Sequence, residues 1–82
     1  MRITVNEAAD MLERSPDFIR IALQQKALPI GIAIRMHGST RYTYFINPPD
    51  LAKYMHISMK ELEKRKERLH RFEGRSNAQL DM

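Results

Sequence analysis

Apolar residues recur every three or four positions in the first part of the chain. The apolar positions of the first such run are Val5, Ala8, Ala9 and Leu12. This spacing places the four side chains on one side of a helix. Thr4, followed three residues later by Glu7, forms a capping box, in which each side chain accepts a hydrogen bond from a backbone N–H at the helix start. The pattern therefore predicts a first helix from Val5 to Glu13.

A second helix is predicted almost directly after the first. Ser15 is a favourable N-cap, and Pro16 suits the first helical position because its missing N–H would have no partner there. The inward positions of this helix are Ile19, Ala22 and Leu23. The helix should end near Lys26, since Leu28 precedes a proline and is disfavoured in the α region. Two helices joined by so short a segment must cross steeply, which predicts a helix-turn-helix unit.

After Pro29 the apolar residues alternate with polar ones, which is typical of strands. The two predicted strands span residues 31–36 and 41–46. Between them, Gly38-Ser39 suits a two-residue type II′ turn with positive φ at the glycine, and such a loop would set Ile34 opposite Thr43. A three-residue loop would instead set Ile34 opposite Tyr44 and align the apolar faces. The pattern predicts a β-hairpin and leaves its register open.

The last third of the chain predicts two more helices. The sequence Asn47-Pro48-Pro49-Asp50 ends the second strand and opens a short helix. Its predicted inward residues are Leu51, Tyr54 and Met55. Ser58 and Glu61 repeat the capping-box spacing, so a new helix should begin at Met59 and run to Phe72 as an exposed, highly charged segment. Gly74 is the predicted stop of this helix.

The predicted architecture is α+β and mainly helical, with one β-hairpin and an extra C-terminal helix. We divide the chain into a helix-turn-helix and hairpin domain of residues 1–57, a basic C-terminal helix of residues 58–73 and a disordered tail of residues 74–82. A chain of this length buries only about 60% of its unfolded surface, so stabilisation by a partner is plausible.

Composition excludes several classes of protein. The 82 residues carry a net charge of +4, which suits a polyanionic partner, and they include no cysteine, so disulfides and thiolate metal sites are excluded. We expect a cytoplasmic location, because no signal sequence or membrane-spanning apolar run is present. The histidines His37, His56 and His70 lack the spacing of metal ligands, and the carboxylates form no catalytic pair. We therefore predict no enzyme activity, metal or cofactor.

Three groups of polar residues are candidate contacts to DNA. The first lies on the exposed side of the second helix, where arginine can pair with guanine, glutamine with adenine, and a hydroxyl or the helix N-terminus with phosphate. It comprises Ser15, Asp17, Arg20 and Gln24. The second group, at the hairpin tip, comprises Arg35, His37, Ser39, Thr40 and Arg41. The third group, on the last helix, comprises Lys60, Lys64 and Arg68 and would contact phosphates or a neighbouring subunit. For each group the alternative is an ordinary solvated surface.

The order of these features resembles the excisionase-like and MerR-like winged helix-turn-helix families of phages and mobile elements. Their usual pattern runs T-x-x-E-A-A-x-x-L, then S-P-x-x-I-R, then a short stretch ending in L-P. The matching residues are Thr4, Glu7, Ala8, Ala9, Leu12, Ser15, Pro16, Ile19, Arg20, Leu28 and Pro29. The resemblance covers about two thirds of the chain. It implies that the second helix enters a major groove and that the hairpin is a wing.

The resemblance implies sequence-specific binding to double-stranded DNA. The protein would act as an excisionase-type recombination directionality factor, which bends DNA to steer a recombinase, or as a transcriptional regulator. A second copy of the chain or a recombinase would be a further partner. Phe18 and Ile21 stand where these families usually carry polar residues, and Lys26 replaces a common glycine. These three differences leave open an alternative function, that of a phage-encoded inhibitor that binds a host factor and is built on the same fold. We expect Phe18 and Ile21 to be partly buried under the hairpin.

Overall fold

The computed structural model describes the backbone of residues 1–80 and the side chains of residues 1–70. Within this range the chain forms four helices and one two-stranded antiparallel sheet. The elements are α1 (Val5–Leu12), α2 (Pro16–Gln24), β1 (Gly31–Arg35), β2 (Tyr42–Ile46), α3 (Pro48–Met55) and α4 (Met59–Leu80). The predicted α+β class, with one hairpin and a C-terminal helix, is confirmed.

The starts of α1 and α2 are held by the predicted caps. The backbone N–H of Thr4 donates to Glu7 Oε1 at 2.8 Å, and the backbone N–H of Glu7 donates to Thr4 Oγ1 at 3.1 Å. At α2, the Ser15 hydroxyl accepts from the backbone N–H of Phe18 at 3.1 Å. Glu13 closes α1 in the left-handed conformation, with φ 57°. Only residues 13–15 separate the two helices, so the predicted short connection is present.

The hairpin has the register of the shorter of the two possible loops. Ile34 lies opposite Thr43, and the ladder runs from the pair of Gly31 and Ile46 to the pair of Arg35 and Tyr42. In this register Ala33, Tyr44 and Ile46 share one face and pack against the core. Packing of that inner face, and not alignment of the outer apolar residues, therefore decides the register.

The turn of the hairpin differs from the type II′ turn suggested by its glycine. Gly38 has a positive φ of 80°, as expected. However, the turn runs over residues 36–39, because the backbone N–H of Ser39 donates to the carbonyl of Met36 at 3.0 Å. Gly38 is thus the third residue of the turn instead of the second. The Ser39 hydroxyl accepts from the backbone N–H of Arg41 at 3.1 Å, which holds residues 39–41 outside the ladder.

The core joins all four helices through fully buried aliphatic side chains. Ala8 of α1, Ile19 of α2, Leu51 of α3 and Leu62 of α4 have essentially no exposed surface, and neither does Ile30 before β1. The buried Leu62 contradicts the prediction that the last helix is simply exposed. The predicted stop at Gly74 is also wrong, since α4 continues to Leu80. One glycine costs a helix only about 1 kcal/mol, which the good helix formers around it can offset. Of the predicted disordered tail, residues 74–80 are therefore helical, and residues 81–82 lie outside the described range.

Three aromatic or aliphatic residues predicted to be covered are exposed. Tyr54 is 47% exposed, whereas Ala52, two residues earlier on α3, is buried in the core. Phe18 and Ile21 are 46% and 53% exposed, so the expectation that the hairpin covers them is wrong. The reason is geometric: α2 packs on β1 along another side of the helix, next to Gln24.

Candidate nucleic-acid interface

The exposed side of α2 carries the first group of predicted contacts. Ile19, Ala22 and Leu23 are buried, which turns Asp17 and Gln24 outwards on the opposite side. The Arg20 side chain is 40% exposed, and its Nη1 lies 3.0 Å from Asp17 Oδ1. This ion pair uses one of the five N–H donors of the guanidinium, so the others can bind elsewhere. The Ser15 hydroxyl serves as the N-cap and marks the end of α2 at which backbone N–H groups are free.

A line of contacts connects α2 with the hairpin, and we name it the aromatic strip. It comprises Gln24, Tyr44, Tyr42 and Arg35. Gln24 Nε2 lies 2.5 Å from the Tyr44 hydroxyl oxygen and donates to it. The rings of Tyr44 and Tyr42 stack with centroids 6.1 Å apart, and the Arg35 guanidinium lies 5.9 Å from the centroid of Tyr42. Cation–π attraction contributes about 0.5–1 kcal/mol at an exposed position. The aromatic strip therefore places the side chain of Arg35 relative to α2.

The tip of the hairpin carries the second group of predicted contacts. Arg35, His37, Thr40 and Arg41 are exposed. Ser39 is half-buried, and its hydroxyl is engaged with the backbone of Arg41, so its first role is to hold the turn. The tip thus combines two arginines and a histidine on a short loop that is held by hydrogen bonds to its own backbone.

The third group lies on α4, which packs against α1 and α3. Lys60 and Lys64 are exposed. Arg68 shares the carboxylate of Glu61 with Arg65, each at 3.3 Å, so part of the basic excess of this helix is neutralised locally. The aromatic strip brings α2 and the hairpin into one surface, whereas no described contact joins these three α4 residues to that surface.

Sequence reasoning missed the two tyrosines of the aromatic strip. Alternation along β2 already placed Tyr42 and Tyr44 on the same face of the strand. It did not reveal that this face points towards Gln24, because that depends on where the hairpin packs. The tyrosines form the physical connection between the two groups of residues that sequence reasoning had treated separately.

A second surface lies on the other flank of α2. The Arg14 guanidinium lies 5.1 Å from the centroid of the Phe18 ring. A groove of about 250 Å³ opens beside them, and it is lined by Leu12, Arg14, Phe18, Ala22, Ala27, Leu28 and Tyr54. Its lining side chains are mostly aliphatic or aromatic, with the charged group of Arg14 and the hydroxyl of Tyr54 among them. It is therefore chemically different from the polar flank beside the hairpin.

Glu7 is a buried carboxylate with a structural role. It is 8% exposed, and its oxygens contact the backbone N–H of Thr4 and Nε2 of His70. Burial raises the pKa of Glu7, but hydrogen bonds from Thr4 and His70 and the charge of Lys66 outweigh burial, so the pKa lies below its usual value. Its bond with Thr4 is that of a helix cap, and its contact with His70 joins α1 to α4.

No group of three or more His, Asp or Glu side chains that could hold a metal ion occurs within the described part of the chain. Over the same range, no helix has the length and apolar character required to cross a lipid bilayer. Comparisons of the chain with protein-family models, with curated proteins and with solved structures each yield no match.

Proposed function

We propose that the protein binds double-stranded DNA as a winged helix-turn-helix module. In this proposal α2 enters a major groove, and the hairpin is a wing whose tip contacts the neighbouring backbone. The observation that carries the proposal is the aromatic strip, which joins the exposed side of α2 to Arg35 of the hairpin through three successive contacts. A reading helix and a basic tip held in this way present a single surface to a duplex.

The hydrogen-bonding capacity of Gln24 and Arg20 suits base recognition. Gln24 donates one amide N–H to Tyr44, and its other N–H and its carbonyl oxygen remain available for hydrogen bonds. These two groups are what a bidentate pair with adenine requires. Arg20 keeps donors beyond the one paired with Asp17 and can bind the O6 and N7 atoms of guanine. The aromatic strip holds the amide of Gln24 in place and leaves one of its donors and its acceptor available for a base.

The remaining residues of this surface suit phosphate binding. In the proposal, the DNA backbone beside the groove is contacted by the hairpin tip, through Arg35, His37, Thr40 and Arg41. A phosphate on the other side of the groove is bound by Ser15 and the N-terminus of α2. Asp17 serves to orient Arg20. Lys60, Lys64 and Arg68 of α4 would contribute sequence-independent attraction to phosphates or contacts to a second subunit.

The biological form of this activity follows from the ordered resemblance to excisionase-like and MerR-like proteins. We propose a recombination directionality factor or a transcriptional regulator of a phage or mobile element, acting in the cytoplasm. Both roles use the same binding chemistry. They differ in whether a recombinase or a promoter lies beside the bound site.

Salt-dependent binding to duplex DNA tests the proposal. Binding is measured by fluorescence anisotropy, first with a randomised pool of duplexes and then with the duplexes selected from that pool. The logarithm of the affinity should fall linearly with the logarithm of the salt concentration, by about 0.9 per neutralised phosphate. Arg41→Ala should reduce that slope by about one, whereas the charge-matched control Lys53→Ala on α3 should leave it unchanged. Binding without salt dependence, or equal effects of the two variants, would contradict the proposal.

Two further variants separate base reading from phosphate attraction. Arg20→Ala should cost ~1–3 kcal/mol on selected sequences and relax preference at one position. Lys64→Ala should weaken all sequences alike, by a smaller amount. If both variants bind as the parent does, the roles given to α2 and α4 are wrong.

A second candidate function rests on the apolar flank of α2. Phe18, Ile21 and Tyr54 are each about half exposed, and Phe18 and Tyr54 line the groove beside Arg14. Exposed aromatic and aliphatic side chains of this kind favour a protein partner, such as a host factor inhibited by this protein. Under this alternative, Phe18→Ser would abolish partner binding, and duplex affinity would be absent even at low salt. Steep salt dependence of duplex binding would favour the first candidate.

A further inference from the structure

The hairpin has an apolar face turned away from the helices. Adjacent pairs across the strands bring together Ile32 with Phe45 and Ile34 with Thr43. We name these four residues the outer sheet face. Because side chains alternate along a strand, this face is opposite to the one that packs against the core through Ala33, Tyr44 and Ile46.

The exposure of the outer sheet face is large for so small a protein. Ile32 is 55% exposed, Phe45 54% and Ile34 38%, and Met36, which continues the alternation of β1, is 67% exposed. Together these side chains present on the order of 400 Å² of apolar surface, within the range in which single patches mark interaction sites. The hairpin is covered on one face only, which leaves this apolar area in contact with water.

We propose that the outer sheet face is a two-fold interface between two copies of this chain, with the hairpins running in opposite directions across the axis. In such an interface the same patch occurs on both sides, so it must be complementary to itself. The four residues carry no charge, so two copies can meet there without direct repulsion even though each chain carries +4.

The two ends of the hairpin carry opposite charges, which favours the antiparallel arrangement. Asp50 lies at the base, where it lines a groove of about 400 Å³ together with Ile32 and Phe45. The tip carries the cationic side chain of Arg41. A two-fold axis at the centre of the outer sheet face sets the base of one hairpin against the tip of the other. The acidic end of each copy therefore faces the basic end of its partner.

The patch supplies about half of the area that a standard interface buries on each partner, which fits a weak and reversible dimer. A specific interface of standard size buries about 800 Å² on each partner, with an apolar centre and a polar rim. The outer sheet face supplies the centre, and the base groove and the tip supply the rim. Gln24 contacts the opposite face of the hairpin through Tyr44, so dimerisation leaves the exposed side of α2 uncovered. It turns Arg41 of the tip towards the partner, so it competes with the phosphate contact proposed for that residue.

Sedimentation equilibrium of the full chain tests the proposal. Over about 1 µM to about 1 mM protein, the range of Kd expected for a modest interface, the average mass should rise from one chain towards two. Ile32→Thr with Phe45→Thr should weaken dimerisation at least tenfold while keeping residues that favour strands. The matched control, Phe18→Thr with Ile21→Thr, removes one phenylalanine and one isoleucine of similar exposure from α2 and should dimerise as the parent does.

A second measurement remains decisive if the double variant unfolds. The chain has no cysteine, so Thr43→Cys places a single thiol on the outer sheet face, and Glu63→Cys places one on the exposed side of α4. A short bismaleimide should cross-link the first variant into a dimer and leave the second monomeric. Asp50→Lys should weaken dimerisation because it opposes the partner's cationic tip. A parent chain that stays monomeric throughout the range, equal cross-linking of both thiols, or dimerisation insensitive to Asp50→Lys would each overturn the proposal.

Discussion

The imidazole Nε2 of His70 lies 2.7 Å from Oε2 of Glu7, sixty-three residues earlier in the chain. This contact joins α4 to the first turn of α1, and the ammonium of Lys66 donates to the backbone carbonyl of Arg2 beside it. The capping carboxylate of α1 thus serves two purposes, since one oxygen closes its own helix and the other holds a distant one.

The stability of the fold should fall in acid because of Glu7. Its pKa is lower in the folded protein than the ordinary 4.5. A lowered folded pKa contributes stability that is present above the unfolded pKa and lost as pH falls through the folded pKa. Urea unfolding should therefore show a decline in the free energy of unfolding below about pH 4.5, and Glu7→Gln should flatten that decline. The control Glu63→Gln on α4 should retain it, and equal profiles for the two variants would refute the assignment to Glu7.

Loss of the Tyr44 hydroxyl should disturb recognition more than folding. Tyr44→Phe removes the hydrogen bond to Gln24 but keeps the ring that stacks on Tyr42, so we expect a stability loss of only about 0.5–1.5 kcal/mol. Discrimination at the base pair read by Gln24 should weaken in anisotropy titrations. Tyr54→Phe, which changes an exposed tyrosine on α3, should leave discrimination intact. Unchanged discrimination in Tyr44→Phe would show that the aromatic strip does not position the amide.

Two glycines of the hairpin should resist substitution for different reasons. A Cβ at Gly31 would lie 2.0 Å from the carbonyl oxygen of Phe45, so Gly31→Ala must move backbone and should cost about 1–3 kcal/mol. At Gly38 nothing lies within 4 Å, but φ is 80°, so Gly38→Ala should cost about 1–2 kcal/mol through strain alone. Gly38→Asn should recover part of that loss, whereas Gly31→Asn should not, as measured by urea unfolding. Recovery at both positions would contradict the steric explanation for Gly31.

Lys26 occupies a position where glycine should be more stable. Its φ of 57° lies in the left-handed region, just after the end of α2. Lys26→Gly should raise the free energy of unfolding by up to about 1 kcal/mol, since relief of strain exceeds the extra entropy of the unfolded chain. Gln25→Gly is the control, because Gln25 has φ −84° and should lose stability when replaced. Thermal melts of the two variants should shift in opposite directions.

Local signals in the sequence were sufficient for most of the helix starts. Thr4, Ser15, Asn47 and Ser58 all accept from a backbone N–H three residues later, because capping depends on residues that are neighbours along the chain. The positive φ of Gly38 was predictable for the same reason. The stop of α4 was not, because a single glycine is too weak a signal when the following residues favour helix.

Burial between elements could not be read in the same way. Periodicity identified Ile19, Ala22 and Leu23 correctly because a helix has one inward side, and these residues share it. It failed for Tyr54, whose exposure depends on which neighbour the helix meets, and the expected cover of Phe18 by the hairpin failed for the same reason. It also failed for Glu7, whose burial depends on α4 approaching from the far end of the chain.

The sequence by itself determined the order of helices and strands, the caps that begin the helices and the polar side of α2, since each depends on interactions over a few residues. The tertiary structure alone decided the register of the hairpin, the joining of Gln24 to Arg35 through two tyrosines, and the exposure of Ile32 and Phe45. Those features depend on how the inner face of the sheet packs against α1 and α2, and the free energy of that packing is shared among residues far apart in the chain.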